Sequence, residues 1–379
     1  QRILNMQLKS RKLKAYLSLP LISLILISCN SGSSSAPSST PVSYSAFNCP
    51  GTNNVSFPGV SGVRGIEGSS NDTVYITGVY VQYGSPHAFL YQGPVLGGGV
   101  CNQFNFPSDV NAGRTVTSTS LYGPDNNGVG NVIVVGSYTT LESGPITQQG
   151  LLYQGAADGS TTLGYTTLNP SVLSPGETVI NTLGHSTMGG IVVGNYDTNL
   201  ATGKAFIYNI NTKEYYPLEK PGGAASLTAY GIWYNGGTSY TIAGGYSVVD
   251  QGGVDAGFIT DWDSSTQQLS NFTTLNYNNS PTSLVGTHFE GITTDDAGGY
   301  NLAGDWQYNA QPGTFPSFAH ISRNSDGGFT ASSVQWTNFA YYPGSSWTSA
   351  NTVYKNYVLG LFEMGTPTMD YGYVATIQQ

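Results

Sequence analysis

The histidines are the first side chains to consider for acid–base or metal chemistry, and the chain has only four of them. His185 and His288 lie near the first β-segment of their repeats, which we expect to line the centre of the fold, and this makes them the better functional candidates. His87 and His320 stand beside or within a recurring column of large apolar residues, which indicates packing. None is spaced from a Cys or a carboxylate as metal ligands are. We therefore predict no metal site and no cofactor.

Four acidic residues could bring carboxylates together, because each follows or ends the first segment of a repeat: Glu67, Glu290, Asp295 and Asp296. A glycoside hydrolase needs two carboxylates that face each other across about 5–9.5 Å. Solvated carboxylates in turns give the same sequence pattern, and this interpretation is favoured. The chain has no GxSxG, HExxH or P-loop motif. The sequence therefore assigns no catalytic residue.

Aromatic residues form the best candidate for a binding surface. They occur in segments that we expect at one end of the fifth and sixth repeats: Trp306, Tyr308, Tyr341, Tyr342 and Trp347. Aromatic rings stack on sugars or anchor the loops of another protein. Some of these rings could instead cap the core. The sequence predicts a contact surface that spans these two repeats.

The elements that must position these residues belong to a repeat. Six times a glycine is followed two positions later by an aromatic residue, at intervals of 58, 58, 50, 60 and 56 residues. The pairs are Gly78/Tyr80, Gly136/Tyr138, Gly194/Tyr196, Gly244/Tyr246, Gly304/Trp306 and Gly360/Phe362. Self-similarity at a near-fixed period of this size indicates one supersecondary unit repeated.

Each unit contains four short segments rich in Val, Ile, Thr and Tyr, separated by Gly, Asn and Asp. These are strand and turn signals, and no window has a helical period. The second segment is apolar throughout, as in VIVVGSY, and a strand of this kind is covered on both faces. We expect its glycine to mark close packing by the neighbouring unit. The sequence predicts an all-β fold, a six-bladed β-propeller with four-stranded antiparallel blades.

A second glycine precedes the first by 13 residues in four units, at Gly65, Gly123, Gly231 and Gly291. In the third unit the matching residue is Gly184, and the sixth unit has Trp347 at that offset. We expect these positions to correspond in space.

The last unit ends after its third strand, and a separate strand candidate at residues 45–57 precedes the first unit. If this N-terminal strand completes the last blade, the ring closes and leaves no open sheet edge. Cys49 and Cys101 form an even pair, which favours a disulfide in an oxidising compartment. The alternative is two unrelated thiols. The bridge would join the closing strand to the first blade.

The N-terminus has the pattern of an export signal. A basic segment with Lys9, Arg11, Lys12 and Lys14 is followed by an apolar run over residues 15–27. At about 13 residues this run is shorter than the ~20 residues that span a bilayer. We therefore assign residues 1–29 to a signal peptide. Residues 30–45 are Ser- and Pro-rich and uncharged, which predicts a flexible tether before a propeller over residues 46–379.

The leader ends in Leu26-Ile27-Ser28-Cys29, which resembles the lipobox of bacterial lipoproteins. The resemblance implies acylation of Cys29 and attachment to a membrane, and Asn30 favours the outer membrane. An ordinary signal peptide that contains a Cys is the alternative. Several acyl chains on one residue would hold the protein durably.

The repeats resemble two families. His87-Ala88-Phe89-Leu90-Tyr91 and KAFIYN at 204–209 look like the HAF-type repeats of bacterial extracellular proteins. The double glycine Gly244-Gly245 ahead of DWDSSTQQLSNF is similar to the kelch pattern, although only this copy has both glycines. Both resemblances imply a propeller and neither implies one activity.

Composition excludes some partners. Without the five cations of the leader, seven Lys and Arg (12 − 5) stand against 21 acidic residues, a net charge of −14 (7 − 21). Nucleic acid and anionic membrane surfaces need clustered cations, so neither is expected as a partner. We predict a monomeric, membrane-anchored scaffold that binds protein or glycan. A glycan-active hydrolase with carboxylates at the channel mouth is the alternative, and a mainly structural envelope protein is the third.

Overall fold

The computed structural model describes residues 42–49, 56–69, 72–82, 85–109, 113–141, 144, 146–161, 164–248, 255–309, 313–339, 341–365 and 369–378. Within these ranges the chain forms β-strands and short 3-10 turns at Ser171–Leu173, Tyr277–Asn279 and Ala331–Ser333. No helix of the described part is long and apolar enough to cross a bilayer. The predicted leader with Cys29 lies outside the described residues.

Twenty-four strands make six four-stranded antiparallel sheets, which are the blades of the predicted propeller. Blade one contains β2 (Ser56–Gly65), β3 (Thr73–Gln82), β4 (Ser85–Pro94) and β5 (Val100–Gln103). Blade two contains β6 (Val116–Asn126), β7 (Asn131–Thr140), β8 (Gln149–Ala156) and β9 (Tyr165–Leu168). Blade three contains β10 (Val179–Met188), β11 (Ile191–Thr198), β12 (Lys204–Asn209) and β13 (Glu214–Leu218).

Blade four contains β14 (Ser226–Gly236), β15 (Ser239–Ser247), β16 (Asp255–Asp263) and β17 (Gln268–Leu275). Blade five contains β18 (Val285–Thr294), β19 (Gly299–Tyr308), β20 (Phe315–Ser322) and β21 (Gln335–Asn338). Blade six contains β22 (Trp347–Tyr354), β23 (Tyr357–Met364), β24 (Met369–Ile377) and the N-terminal strand β1 (Val42–Phe47). The prediction of a six-bladed propeller is confirmed.

The N-terminal strand closes the ring, as predicted. β1 pairs antiparallel with β24, from Val42 opposite Ile377 to Phe47 opposite Gly372. The strand begins at Val42, so the last four residues of the segment predicted as a tether belong to the propeller. The reason is that Val42 and Tyr44 pack against the core of blade six. The rest of that segment lies outside the described residues.

The antiparallel order gives the ring two different faces. Each first strand (β2, β6, β10, β14, β18 and β22) lies at the axis, since residues from all six line one axial cavity. We call "connecting face" the side that carries the blade-to-blade connections and the loops between second and third strands. The opposite side carries the other two hairpins of each blade, and we call it the hairpin face.

The joint between blades six and one is held by a disulfide and by packing. Cys49, two residues after β1, is bonded to Cys101 in β5, with a Cα–Cα distance of 5.6 Å. Phe47 is 2% exposed, and its ring lies 5.2 Å from that of Tyr91 in blade one. The end of the closing strand therefore belongs to the core of the next blade.

The repeated glycine of the second strand has a different cause from the one we predicted. A Cβ on any of the six would collide with a backbone carbonyl oxygen of the first strand in the same blade, as at Gly136 with Ser120 and at Gly194 with Leu183. The packing partner is thus not the neighbouring unit. In every blade this glycine pairs with the residue just before a β-bulge in the first strand.

Candidate functional site

Each of the six bulges adds one residue to a first strand, and four of the added residues line the axial cavity. A bulge adds a residue to one strand and re-aims its side chain, and bulges are frequent beside functional sites. The bulged residues of blades one to six are Ser61, Tyr122, His185, Tyr230, Glu290 and Asn351. We call these six residues the axial ring.

The residue after each bulge is small because the first strands crowd one another at the axis. A Cβ on Gly123 would lie 2.6 Å from the Cα of Ser186 in the next blade, and one on Gly291 would lie 2.8 Å from the Cα of Thr352. This corrects the sequence alignment in three units. The matching residues are Gly62 rather than Gly65, Ser186 rather than Gly184, and Thr352 rather than Trp347.

Aromatic contacts link one side of the axial ring. The His185 ring lies 3.7 Å from that of Tyr230 and 5.1 Å from that of Tyr122. His185 Nε2 is 2.5 Å from the Oδ1 of Asn195. The side chain is 4% exposed, and burial lowers its pKa to about 3, against the opposing effect of the Asn195 hydrogen bond. His185 is therefore neutral at neutral pH.

Polar contacts link the other side. His288 Nδ1 lies 2.9 Å from the Oε1 of Glu290, and its Nε2 lies 2.8 Å from the hydroxyl of Thr228. Asp305, paired with His288 across the strands, accepts a hydrogen bond of 2.9 Å from the Ala350 N–H. Burial raises the pKa of Asp305 well above its ordinary value, and the Glu290 charge raises it further.

Arg64 closes the axis toward the hairpin face. Its guanidinium donates to the carbonyl oxygens of Pro124, Thr187 and Ile232, which belong to blades two, three and four, at 3.2–3.4 Å. It lies 4.0 Å from the carboxylate of Asp125. Burial raises the pKa of Asp125, and the Arg64 charge lowers it. One buried cation thus ties four blades together.

The axial cavity that remains measures about 20 Å³. A single water needs about 10–15 Å³ of such volume. This cavity, as the described residues line it, therefore has no room for a sugar or a peptide.

The four predicted carboxylates do not gather at the axis. Only Glu290 reaches it, while Glu67 and Asp296 are exposed in turns. Asp295 lies 2.8 Å from His320 Nε2, so this histidine has a polar partner as well as a packing position. His87 Nδ1 is 3.0 Å from Asn105 Nδ2. Among the described residues, no three His, Cys, Asp or Glu side chains are grouped as they would be around a metal ion.

Trp306, predicted as a contact residue, is a core residue. It is 7% exposed, because its ring stacks at 3.9 Å on Tyr277, nearly parallel, and at 4.8 Å on Phe315. The prediction of Trp306 as a surface contact is therefore wrong.

Tyr308 is displayed on the connecting face. It is 45% exposed, and its ring meets Trp306 edge-on at 4.9 Å. Leu284, at the start of blade five, is 60% exposed, and its carbonyl accepts a hydrogen bond from Asn309 N–H beside Tyr308. We call Leu284 and Tyr308 the blade-five patch. Tyr341 supports it from behind, since its ring stacks on Phe315 at 5.6 Å.

The other two predicted contact residues lie elsewhere. Tyr342 stacks at 3.8 Å on Phe362 in the core of blade six. Trp347 is the half-buried first residue of β22. Among the described residues no ring contact joins either of them to Trp306 or Tyr308. The predicted surface is thus divided in two.

Sequence reasoning missed Leu284 and most of the axial ring. A signal for the ring was present, because the axial residue directly precedes the recurring glycine in four blades, as in Tyr122-Gly123 and Tyr230-Gly231. Leu284 has no comparable signal. It is an isolated leucine in a turn.

No family model matches the sequence, and no curated protein matches it. Solved structures with a similar fold include a glycoside hydrolase that is 9% identical over 90% of this chain and 92% of its own, with a TM-score of 0.40. The exo-β-1,3-galactanase from Clostridium thermocellum is 12% identical over 84% of this chain and 73% of its own, with a TM-score of 0.40.

A post-proline cleaving enzyme from Rickettsia typhi is 12% identical over 83% of this chain, with a TM-score of 0.39. The match covers 43% of that enzyme, so this chain spans less than half of its length. These neighbours carry out different reactions, and similarity at this level transfers none of them to this chain.

Proposed function

We propose that the protein is a lipid-anchored propeller of the bacterial outer membrane that binds a partner protein through the blade-five patch. The observation that carries this proposal is the closed axis. The axial cavity measures only about 20 Å³, so a ligand would have to bind on one of the two faces of the ring. The proposal thus concerns a binding scaffold rather than an enzyme.

The distribution of exposed apolar side chains supports the connecting face. Six of the nine large apolar side chains exposed in the described residues lie there: Val81, Leu141, Val172, Leu200, Leu284 and Tyr308. Only Leu96, Val100 and Val129 lie on the hairpin face. Exposed Leu and Val have no flat ring to stack on a sugar, whereas they pack well against another protein around a Tyr anchor.

The glycan-active hydrolase has less support. Glu290 of the axial ring lies 2.9 Å from His288. Asp125 is held by Arg64 and by the Gly189 N–H, which is 3.0 Å away. Neither is paired across a substrate-sized gap as glycoside hydrolysis requires.

The anchor is tested by metabolic labelling with an alkynyl fatty acid. We expect the full chain to incorporate the label and Cys29→Ser to lose it, with the variant released from the membrane fraction. Labelling of Cys29→Ser equal to that of the parent chain would remove Cys29 as the acylation site.

The patch is tested by site-specific photocrosslinking in the intact envelope. A photoreactive phenylalanine at Tyr308 is expected to give a discrete crosslinked protein adduct. The matched control places the same residue at Val129, which is fully exposed on the hairpin face. An adduct of equal yield at both positions, or adducts with glycan alone at Tyr308, would contradict the proposed protein partner.

A further inference from the structure

A second candidate site lies on the hairpin face, where a cavity of about 430 Å³ opens between blades four and five. We call it the interblade cleft. Its lining includes the rings of Trp233, Tyr234 and Tyr300 together with Asn235, Ser239 and Arg323. Pockets that hold small organic ligands measure about 300–1,000 Å³. The cleft is within this range, unlike the axial cavity.

One wall of the cleft is a preorganised hydrogen-bond network. The Arg323 guanidinium donates to both oxygens of Asp261 at 2.7 and 2.8 Å, and to the Tyr300 hydroxyl at 2.9 Å. Tyr300 in turn donates to the Oδ1 of Asn235 at 2.7 Å. The network joins blade four to blade five and fixes the directions of the polar groups at the wall.

Two further aromatic side chains of the cleft are held rigidly. The Trp233 ring lies 5.3 Å from the Arg64 guanidinium, a cation–π contact. The Tyr234 hydroxyl donates to the carbonyl of Gly237 at 3.2 Å. Both rings are only half-buried. They therefore offer fixed, partly exposed aromatic surface next to the polar wall.

Two polar groups of the cleft make no hydrogen bond to another described residue. These are the Trp233 indole N–H and the Ser239 hydroxyl, whereas the neighbouring Asn235 and Tyr300 hydrogen-bond to each other and Asn235 also donates to Thr241. A ligand with hydroxyl groups could bond to both while its apolar face rests on the rings.

We propose that the interblade cleft binds a short, uncharged saccharide. Sugars combine an apolar ring face with hydroxyls around its edge, which matches aromatic surface beside fixed polar groups. An anionic ligand fits less well, because the bidentate Asp261 carboxylate offsets the only cationic group of the lining. An apolar peptide fits less well because most of the wall is polar.

The site is independent of the proposed function. The blade-five patch lies on the connecting face and the cleft on the hairpin face, so either can fail alone. Protein binding is measured by crosslinking at Tyr308, and saccharide binding is measured with variants of Trp233, so the two results do not depend on each other.

The test uses the full chain in a detergent without a sugar headgroup. The probe is an array of uncharged oligosaccharides of glucose, galactose, mannose and N-acetylglucosamine, followed by titration calorimetry on the retained sugars. We expect at least one retained sugar, and a change in tryptophan fluorescence on binding that is absent in Trp233→Phe.

Two variants probe the cleft. Trp233→Leu is expected to weaken binding at least about tenfold, since it removes a stacking ring. Ser239→Trp fills the cavity from a hairpin position outside the Arg323 network, and it is expected to abolish binding with the melting temperature nearly unchanged. It keeps the test decisive if Trp233→Leu fails to fold. Tyr308→Ala, on the other face, is the control and should leave the sugar affinity unchanged.

An array that retains no sugar would overturn the proposal, and so would sugars whose affinity is the same in folded Ser239→Trp. Loss of binding in Tyr308→Ala would place the sugar on the connecting face and would also reject the cleft.

Discussion

The axis and the interblade cleft contain the same kinds of side chain and differ in the space left between them. Each has an arginine beside an aspartate, Arg64 with Asp125 and Arg323 with Asp261. The Trp233 ring lies 5.3 Å from the Arg64 guanidinium and lines the cleft together with Arg323. Yet the axis leaves about 20 Å³ and the cleft about 430 Å³.

The difference teaches that composition alone does not mark a site in this fold. Arg64 is 7% exposed, and its guanidinium donates hydrogen bonds to three backbone carbonyls in three other blades. These hydrogen bonds hold the blades together. The side chain of Arg323 is 24% exposed. A similar ion pair can therefore line a cavity when it lies between two blades rather than at the axis, where Arg64 contacts four.

The strongest test of the axis disturbs the bulge in the first strand of blade three, through the glycine that lies opposite it. Gly194→Ala places a Cβ against the carbonyl of Leu183, and the backbone has to move to accept it. We expect the free energy of unfolding to fall by about 4 kcal/mol, in the range of severe core changes. Chemical denaturation measures it.

The control for this variant is Gly222→Ala. Gly222 has a φ of +82° and no atom within 4 Å of an added Cβ, so only the left-handed backbone is strained, at about 1 kcal/mol. Equal losses in the two variants would show that the bulge contributes nothing special.

The second test compares the two arginines. Arg64→Met leaves Asp125 buried without its cation, and we expect a loss of about 3 kcal/mol. Arg323→Met removes the more exposed of the two cations, 24% against 8% of the side chain, and we expect the smaller loss, about 1 kcal/mol. Equilibrium unfolding of both variants checks the order.

The double variant Arg64→Met/Asp125→Asn sharpens this comparison. With no carboxylate left uncompensated, it should be more stable than Arg64→Met alone. A larger loss of unfolding free energy for Arg323→Met than for Arg64→Met would contradict this comparison. It would show that the ion pair in the cleft, rather than the one at the axis, holds the fold together.

The last test concerns the pH dependence that comes from His185, whose effect over any single pH unit is small. The folded pKa is lowered to about 3 by burial, whereas an unfolded histidine titrates near 6.5. The unfolded chain thus binds more protons in this window, and stability is lost as the pH falls from about 6.5 toward 3. The contribution is at most about 1.4 kcal/mol per pH unit.

His185→Gln keeps a side-chain amide for Asn195 but does not titrate. We expect the free energy of unfolding of this variant to fall less steeply between pH 6.5 and 4 than that of the parent chain. Buried Asp125 and Asp305, whose raised pKa values act in the opposite direction, are common to both proteins. Identical slopes would mean that His185 binds protons equally in the folded and unfolded states, so that burial does not lower its pKa.

Much of the fold could be predicted from the sequence because the repeat is carried by backbone constraints. The glycine of each second strand, such as Gly136, cannot be replaced without a collision, so it persists in all six units and fixes their number. The unpaired third strand at the C-terminus and the strand ahead of blade one predicted the closure.

The sites were less predictable because they depend on distances between blades. Trp233 and Arg323 are far apart in sequence and belong to different blades. Arg323 follows a third strand, and this position gave no reason to expect it beside an open cavity. Trp306 was expected on the surface because the sequence pattern put it at the loop after the second strand. It lies within β19 instead, and its stacking on Tyr277 leaves no trace in the sequence.

The closing strand also decides how the ring would respond to a pull. Val42 lies opposite Ile377 at the hairpin face, so force applied through the preceding residues reaches the outer edge of blade six. It would first strip β1 from β24, one rung after another. At Cys49 the load would pass through sulfur to β5, and unravelling would stop there while blades one to five stayed intact.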